Sequence, residues 1–486
     1  MSELAAVALV TIAAILMMGA FTRLPWLTLA ALGPIIGLSA FVLIGTALVI
    51  IAGYMLPLVT AVATALILGA LATSHRRRPD RRTLAAVSLS ILAVAAIGAV
   101  TLSTAPTRLT PDSLQYIAMA DMIAEPGGFD QIPGSMLVKR NLSTSVLHTL
   151  GSLDGQPYAA SATPVVVAAG FATLAVTVWT ALTAGATTRG RIMALTVLSV
   201  AFALSSNRAL YDAFYVNSHG LVMACFLVVV VGGFLSPTSG GWLVAVSIAA
   251  AVIVPARPEG IILVSLGLLP VLTHPGLKPL ERVLVTIPTS LTAILWFGAG
   301  LWSRAPGERG LDLADQSVGG ALIGIGLVLV ATLAGRPRLF VWLRPAPWVA
   351  VGTMVAILAL EYRREPDLLL GSLSATVQNM AGEGMWGVSW IVLGVLAAGA
   401  LFSDGFDNDR FFVIPIAGFA VMFWLLIYLR EGPYRVGAGD SGNRILAHIF
   451  LVTVTYVAVA AGSRYRSAAA DDEAVSAPRA RHEAAP

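Results

Sequence analysis

Charge is scarce in this chain. Asp, Glu, Lys and Arg make up 12% of its 486 residues, about half the roughly 25% of a soluble domain. That scarcity argues against a disordered chain and against a nucleic-acid-binding surface. Lysine is almost missing: Lys139 and Lys278 stand among 30 basic residues. Arginine over lysine, with abundant alanine and valine, fits a GC-rich bacterial genome. Cysteine occurs once, at Cys225, so no disulfide framework forms within the chain. No Walker motif is present, which excludes a P-loop ATPase. HExxH, CxxC and GxSxG patterns are also missing, and with them the common zinc and serine-hydrolase signatures. No internal repeat is visible, which weakens a transporter built from repeats.

What fills the chain instead is apolar. Hydrophobic residues make up 57% and 46 glycines come on top, with a mean hydropathy of +0.84. A soluble globule could not hide that much apolar surface, so the composition predicts an all-α integral membrane protein. Apolar segments fall near 4–21, 31–52, 55–73, 83–102, 162–184, 192–205, 219–236, 242–256, 259–273, 283–302, 318–335, 347–361, 385–402, 411–428 and 445–462. That pattern predicts about 13–15 transmembrane helices, several shorter than the roughly 20 residues of a full span. The first segment lacks a basic flank and a cleavage site, and reads as a retained helix.

Basic loops orient the spans. HRRRPDRR (75–82) is the strongest cytoplasmic signal. Strict alternation from there puts 18 Lys/Arg and 9 Asp/Glu on the cytoplasmic face, against 12 and 17 on the other. The tail, 463–486, reads as disordered and cytoplasmic. The outer face carries the longest connection, 103–161, and loops of that length are commonly functional.

That loop begins with a helix signature. Thr110 suits an N-cap, Pro111 the first helical position, and PGG the stop. Asp112 then lies in the first turn, where the helix dipole favours a carboxylate, with Tyr116 one turn on. Asp121, nine residues later, points the opposite way. Asp112 is either a capping charge or a base placed to take a proton from an acceptor hydroxyl. Downstream, Lys139, Arg140 and His148 lie on a short interfacial segment. Lys139 either snorkels to headgroups or binds phosphate.

Three further clusters fall on the outer face. NRALYDAFYVNSHG (207–220) holds Tyr215, Asn217 and His219, suited either to structure or to gripping sugar hydroxyls. VPARPEG (254–260) holds Arg257 and Glu259, either a pair or a phosphate-binding arginine with its neighbour. REGPYRVGAGDSGNRIL (430–446) holds Asp440 and Arg444 among three glycines.

The ordered set PDSLQYIAMA (111–120), YVNSH (215–219), RPEG (257–260) and GDSGNR (439–444) resembles the GT-C superfamily of polytopic glycosyltransferases. It is most similar to the bacterial aminoarabinose, mannosyl and cell-envelope arabinosyl transferases. The resemblance covers 83–462 and leaves 1–82 as extra N-terminal membrane helices. It implies a GT-C-like bundle and a sugar moved from a polyprenyl-phosphate donor to a glycan or lipid acceptor of the cell envelope. Transfer would invert the anomeric carbon, on the extracytoplasmic side of a bacterial plasma membrane. Asp112 matches the family's catalytic aspartate. Lys139, Arg140, Arg257 and Arg444 would meet the donor phosphate. Tyr116, His148, Tyr215, Asn217, His219, Glu259 and Asp440 would contact sugar or acceptor. Ser113 follows Asp112 where many members carry a second acidic residue, which implies chemistry without metal or other cofactor. The rival functions are a lipid or solute transporter or flippase, and a polysaccharide polymerase or ligase.

Overall fold

A computed structural model describes residues 1–75, 79–104, 106–133, 136–137, 140–184, 188–236, 240–302, 345–403, 410–428 and 432–462, with isolated residues between 303 and 344. The segments expected at 318–335 and 463–486 lie outside the described residues, as does Lys139. The described residues are helical, with no strand beyond one isolated bridge.

The chain opens with α1 (Glu3–Phe21), α2 (Trp26–Ala52), α3 (Pro57–Ser74) and α4 (Arg81–Thr104). Their ends follow local chemistry. Ser2 caps α1, Gly53 closes α2 at φ 78°, and Pro57 sits at the start of α3. Asp80 accepts the Thr83 N–H at 2.9 Å, starting α4. The long loop carries α5 (Pro111–Ile123) and α6 (Ser143–His148). Then come α7 (Ala162–Thr183), α8 (Arg189–Leu204), α9 (Asn207–Ala213), α10 (His219–Leu235), α11 (Trp242–Ile253) and α12 (Gly260–Thr273). The remainder holds α13 (Pro279–Trp302), α14 (Ala346–Arg364), α15 (Pro366–Gln378), α16 (Ser389–Ser403), α17 (Arg410–Tyr428), α18 (Ser441–Ile445) and the final helix α19 (Ala447–Gly462). The short helix α15 is absent from the sequence reading, because its mixed LLLGSLSATVQ has no run long enough to span.

Among the described residues, seven helices are long and apolar enough to cross a membrane: α1, α2, α3, α4, α7, α13 and α17. The pair α8–α9, bent by 72°, would make an eighth. Helices α10, α11, α12, α16 and α19 are apolar but short. At 1.5 Å per residue they fall below the roughly 30 Å of a bilayer core. Large apolar side chains face outward on the long helices, Leu66 and Leu92 each 67% exposed. Such a surface is stable against lipid and not against water. The chain is a multi-pass membrane protein.

Contacts at the helix ends fix the direction of the first helices. The Glu3 carboxylate accepts backbone N–H groups from Ala160, Ser161 and Ala162 at 2.6–3.0 Å. It thereby satisfies donors at the start of α7 that the helix itself leaves open. The Met55 N–H donates to the Ile123 carbonyl and the Phe129 N–H to the Gly53 carbonyl. The start of α1 and the α2–α3 turn therefore share one face with the long loop, called here the loop face. Phe21 and His75 meet on the opposite, basic face, their ring centroids 3.9 Å apart and tilted by 48°.

Two apolar cavities lie along α4 and α7, the larger bounded also by α2. One of about 620 Å³ runs from the Pro25 and Thr183 ends at the basic face. The other, about 310 Å³, reaches Phe214 at the loop face. Ile97 and Ala168 line both, so the two are neighbours along one course.

Candidate functional site

The site is assembled from four segments far apart in sequence. Helix α5 starts as its residues dictate. Thr110 caps it, its hydroxyl accepting from the Ser113 N–H while the Ser113 hydroxyl accepts from the Thr110 N–H, and Pro111 occupies the first turn. This reciprocal cap projects Asp112 from the first turn. The segment just before it is held by an isolated bridge between Arg108 and Tyr215. The Arg108 N–H donates to the Phe214 carbonyl at 2.7 Å, so the 207–220 cluster lies against the base of α5.

Asp112 is gripped by two arginines. Its Oδ1 accepts from Arg140 Nη2 at 2.5 Å and its Oδ2 from Arg444 Nη1 at 2.6 Å. The same Arg444 nitrogen donates to the Tyr215 hydroxyl at 3.1 Å, and that hydroxyl lies 2.9 Å from Thr110 Oγ1. Arg140 also donates to Gln115 Oε1 at 2.7 Å. The three charged side chains keep 14–25% exposure, so the cluster meets solvent on one side. Each carboxylate oxygen keeps a second lone pair, which is where an acceptor hydroxyl could dock.

Arg444 is delivered by a rigid loop. Asp440 caps α18, accepting the Asn443 N–H at 3.1 Å, and Arg444 follows one turn on. The Asp440 carboxylate thus serves the start of α18 rather than Asp112. Asn443 donates to the Gly384 carbonyl and accepts from Trp386 Nε1 at 2.6 Å. Asn379 bonds both the Arg435 carbonyl and the Gly437 N–H. Gly442 is required for this packing, since a Cβ there would lie 2.6 Å from the Tyr434 ring. Arg208, fully buried, pairs with Asp212 through two bonds and donates a third to the Ala438 carbonyl. It clamps α9 to the same loop.

Arg257 and Glu259 pair at 2.9 Å, both largely buried. Burial opposes ionisation of Glu259, but Arg257 and His448 more than reverse it and hold its carboxyl below the usual range. Arg257 is also within electrostatic reach of Tyr116 and Arg444. Tyr116 is buried beneath α5. The pairing alternative raised by the sequence is therefore realised for Arg257, beside the Asp112 cluster. Breaking a buried pair from one side typically costs about 3–5 kcal/mol. Arg257→Ala and Glu259→Ala are each expected to lower the melting temperature, and Arg257→Met with Glu259→Leu to recover part of the loss. Thermal melts of the purified proteins check this, and single variants as stable as the parent would contradict it.

Asn217 accepts the His219 N–H at 2.7 Å, fixing the start of α10. His219 Nδ1 lies 2.8 Å from His448 Nε2, the rings stacked at 5.0 Å. His148 is buried, with the Ala159 backbone beside its ring. Burial pushes its imidazole down to about 4, and no hydrogen bond joins it to the Asp112 cluster.

The structure thus brings Asp112, Arg140, Tyr215 and Arg444 into direct contact, with Arg257, Glu259, Tyr116 and His219 around them. Asp440 and Asn217 act on the helices that carry their neighbours. Sequence reasoning missed His448, a lone histidine inside the apolar α19. It also missed the Arg208–Asp212 clamp, whose i,i+4 spacing was the available signal. Among the described residues no group of three or more His, Cys, Asp or Glu is placed to share a metal ion. No protein-family model, curated protein or solved structure matches the chain.

Proposed function

We propose that the chain is an inverting GT-C-like glycosyltransferase. It would move a sugar from a polyprenyl-phosphate donor to a glycan or lipid acceptor of the cell envelope, at the extracytoplasmic face of a bacterial plasma membrane. The observation that carries this reading is the Asp112 carboxylate held between Arg140 and Arg444 on the loop face. His75 and Arg81, which flank the basic run of the sequence, lie on the other face, which is the cytoplasmic one under the positive-inside rule.

The chemistry follows from those groups. Displacing a lipid phosphate from a sugar needs a base for the incoming hydroxyl and cations for the departing anion. Asp112 would supply the first. The guanidiniums of Arg140 and Arg444 would supply the second, since they bind phosphate through paired N–H donors. The apolar course from Pro25 reaches Phe214, the residue before Tyr215 in sequence. It offers a place for a long hydrocarbon chain whose phosphate lies at Arg444. A transporter would instead need polar residues facing one another at mid-membrane, and these charged clusters gather at one face.

The test is sugar transfer from a synthetic polyprenyl-phosphate donor by purified protein, with and without EDTA. Two guanidiniums already balance Asp112, the place where a divalent cation would want converging carboxylates. Transfer is therefore expected to survive the chelator. Activity lost in EDTA and restored by Mn²⁺ or Mg²⁺ would overturn the cation-only mechanism.

A further inference from the structure

The two apolar cavities have a length and a shape that the donor reading does not by itself require. Their linings on α7 run from Pro164 to Thr183, about 28 Å at 1.5 Å per residue. That is nearly the roughly 30 Å of a bilayer core. An acyl chain of a membrane phospholipid occupies one leaflet, about half of that core. No acyl chain, entering from either face, would fill both cavities. A single occupant that does so is an apolar chain about twice as long.

The wall offers little to a polar group. The Ser90 hydroxyl donates to the Ala30 carbonyl at 3.2 Å. The Thr101 hydroxyl is taken up by the Gly98 carbonyl and the Ser161 hydroxyl, each at 3.0 Å. A headgroup resting inside would give up water for no hydrogen bond, so it belongs at an end. At the loop end Phe214 adjoins Tyr215, whose hydroxyl meets Arg444.

The course is also divided. About 310 Å³ lies at the loop end and about 620 Å³ toward the basic face. Ile97 and Ala168 line both parts, so they stand where one gives way to the other. Ala168 is one turn below Pro164, about 6 Å along α7. Ile97 is about 10 Å below the loop end of α4. The smaller cavity therefore takes the first few carbons of a chain, and the rest must pass between these two side chains. Passage at this point depends on position 168 carrying only a methyl group.

We infer that Ile97 and Ala168 form a neck that selects the lipid by length: the ligand is a linear isoprenoid long enough to pass it and fill the larger cavity in the basic-side leaflet. The inference rests on the donor reading above, which supplies the position of the head. A chain that moves from the bilayer into the course hides no further surface from water. The preference comes instead from packing contacts, and these grow with the length of chain enclosed.

The experiment compares geranyl phosphate, two isoprene units long, with undecaprenyl phosphate, eleven units long. Binding of each is measured to the full chain in nanodiscs, for the parent, Ala168→Phe and Ala95→Phe. Ala95 lies on the exposed side of α4 and outside both linings, so it receives the same bulk away from the neck. Partition into the bilayer favours the longer lipid alike in every sample, so the quantity read is the ratio of the two affinities. Ala168→Phe is expected to lower the parental preference for the longer lipid about 10-fold, because the chain beyond the neck loses its packing contacts. Ala95→Phe is expected to keep the ratio within about 2-fold, as for a surface substitution. Ala168 borders open space on both sides, so added bulk fills a cavity rather than displacing neighbours, and melts should show both variants folded. If Ala168→Phe does not fold, Ala168→Leu is read by the same criterion. A folded Ala168 variant with the parental ratio would overturn the neck, as would an equal loss in Ala95→Phe. Undecaprenol, the same chain without phosphate, separates this inference from the reading beneath it. If undecaprenol binds the parent as tightly as undecaprenyl phosphate and Ala168→Phe weakens both, the phosphate site fails and the neck stands.

Discussion

Asp112→Asn is expected to lower turnover by about 10²-fold or more, the scale of losing a positioned general base, while the protein still folds. An amide oxygen can keep one of the two guanidinium bonds, but the amide nitrogen is a donor and repels the other. The carboxylate is 25% exposed on its side chain. Losing part of its pairing therefore costs about 1 kcal/mol or less, too little to unfold a bundle of this size. The competing role, a first-turn charge on the α5 dipole, is worth about 0.3–1 kcal/mol. Under that role Asp112→Asn would transfer sugar at near-parental rate, and kcat from the donor assay decides between them. Asp112→Glu serves as a companion. It keeps the charge but moves it by one methylene, so it should retain folding and recover activity only in part.

Arg444→Ala is expected to produce the second largest loss, about 10²-fold in kcat/KM, the scale of removing one preorganised donor from a developing anion. One Arg444 nitrogen bridges Asp112 and Tyr215, so the variant removes a cation and frees the base at once. Arg444→Lys is expected to restore less than about 10-fold of that loss. An ammonium has a single charged centre and cannot span carboxylate, phenol and phosphate in the plane of a guanidinium. Steady-state kinetics with the polyprenyl-phosphate donor measure both. Arg444→Lys at parental kcat/KM would show that charge alone matters at this position, and Arg444→Ala at parental kcat/KM would remove it from the site.

Much of this arrangement is legible in the sequence. Thr110, Pro111 and Asp112 form a helix start that follows from local capping chemistry alone, and the structure has the cap as expected. The four polar clusters share a face because hydropathy and basic loops alternate, and contacts such as Glu3 with Ser161 and Phe21 with His75 agree with that alternation. What was not readable depends on tertiary pairing. Nothing in the sequence joins Arg140 to Asp112, or Arg444 to a residue 332 positions away. His448 sits in an apolar run where periodicity flags nothing. Asp440 and Asn217 are residue types that serve equally as ligands and as helix caps, and the structure gives them caps. The number of crossings is likewise uncertain from hydropathy. Helix α10 is apolar on every face because it is buried in the bundle, which removes the contrast that marks a span's lipid-facing length.

The central claim is that the Asp112–Arg444 cluster receives a lipid-linked phosphate. A structure of the full chain in nanodiscs with undecaprenyl phosphate tests it most directly. The account predicts the phosphate between Arg140 and Arg444, at least one of these bonds to Asp112 released, and the hydrocarbon chain passing Phe214, Ile97 and Ala168. Bound lipid with its phosphate at the basic face, or at any site that leaves Asp112 still held by both arginines, would contradict it.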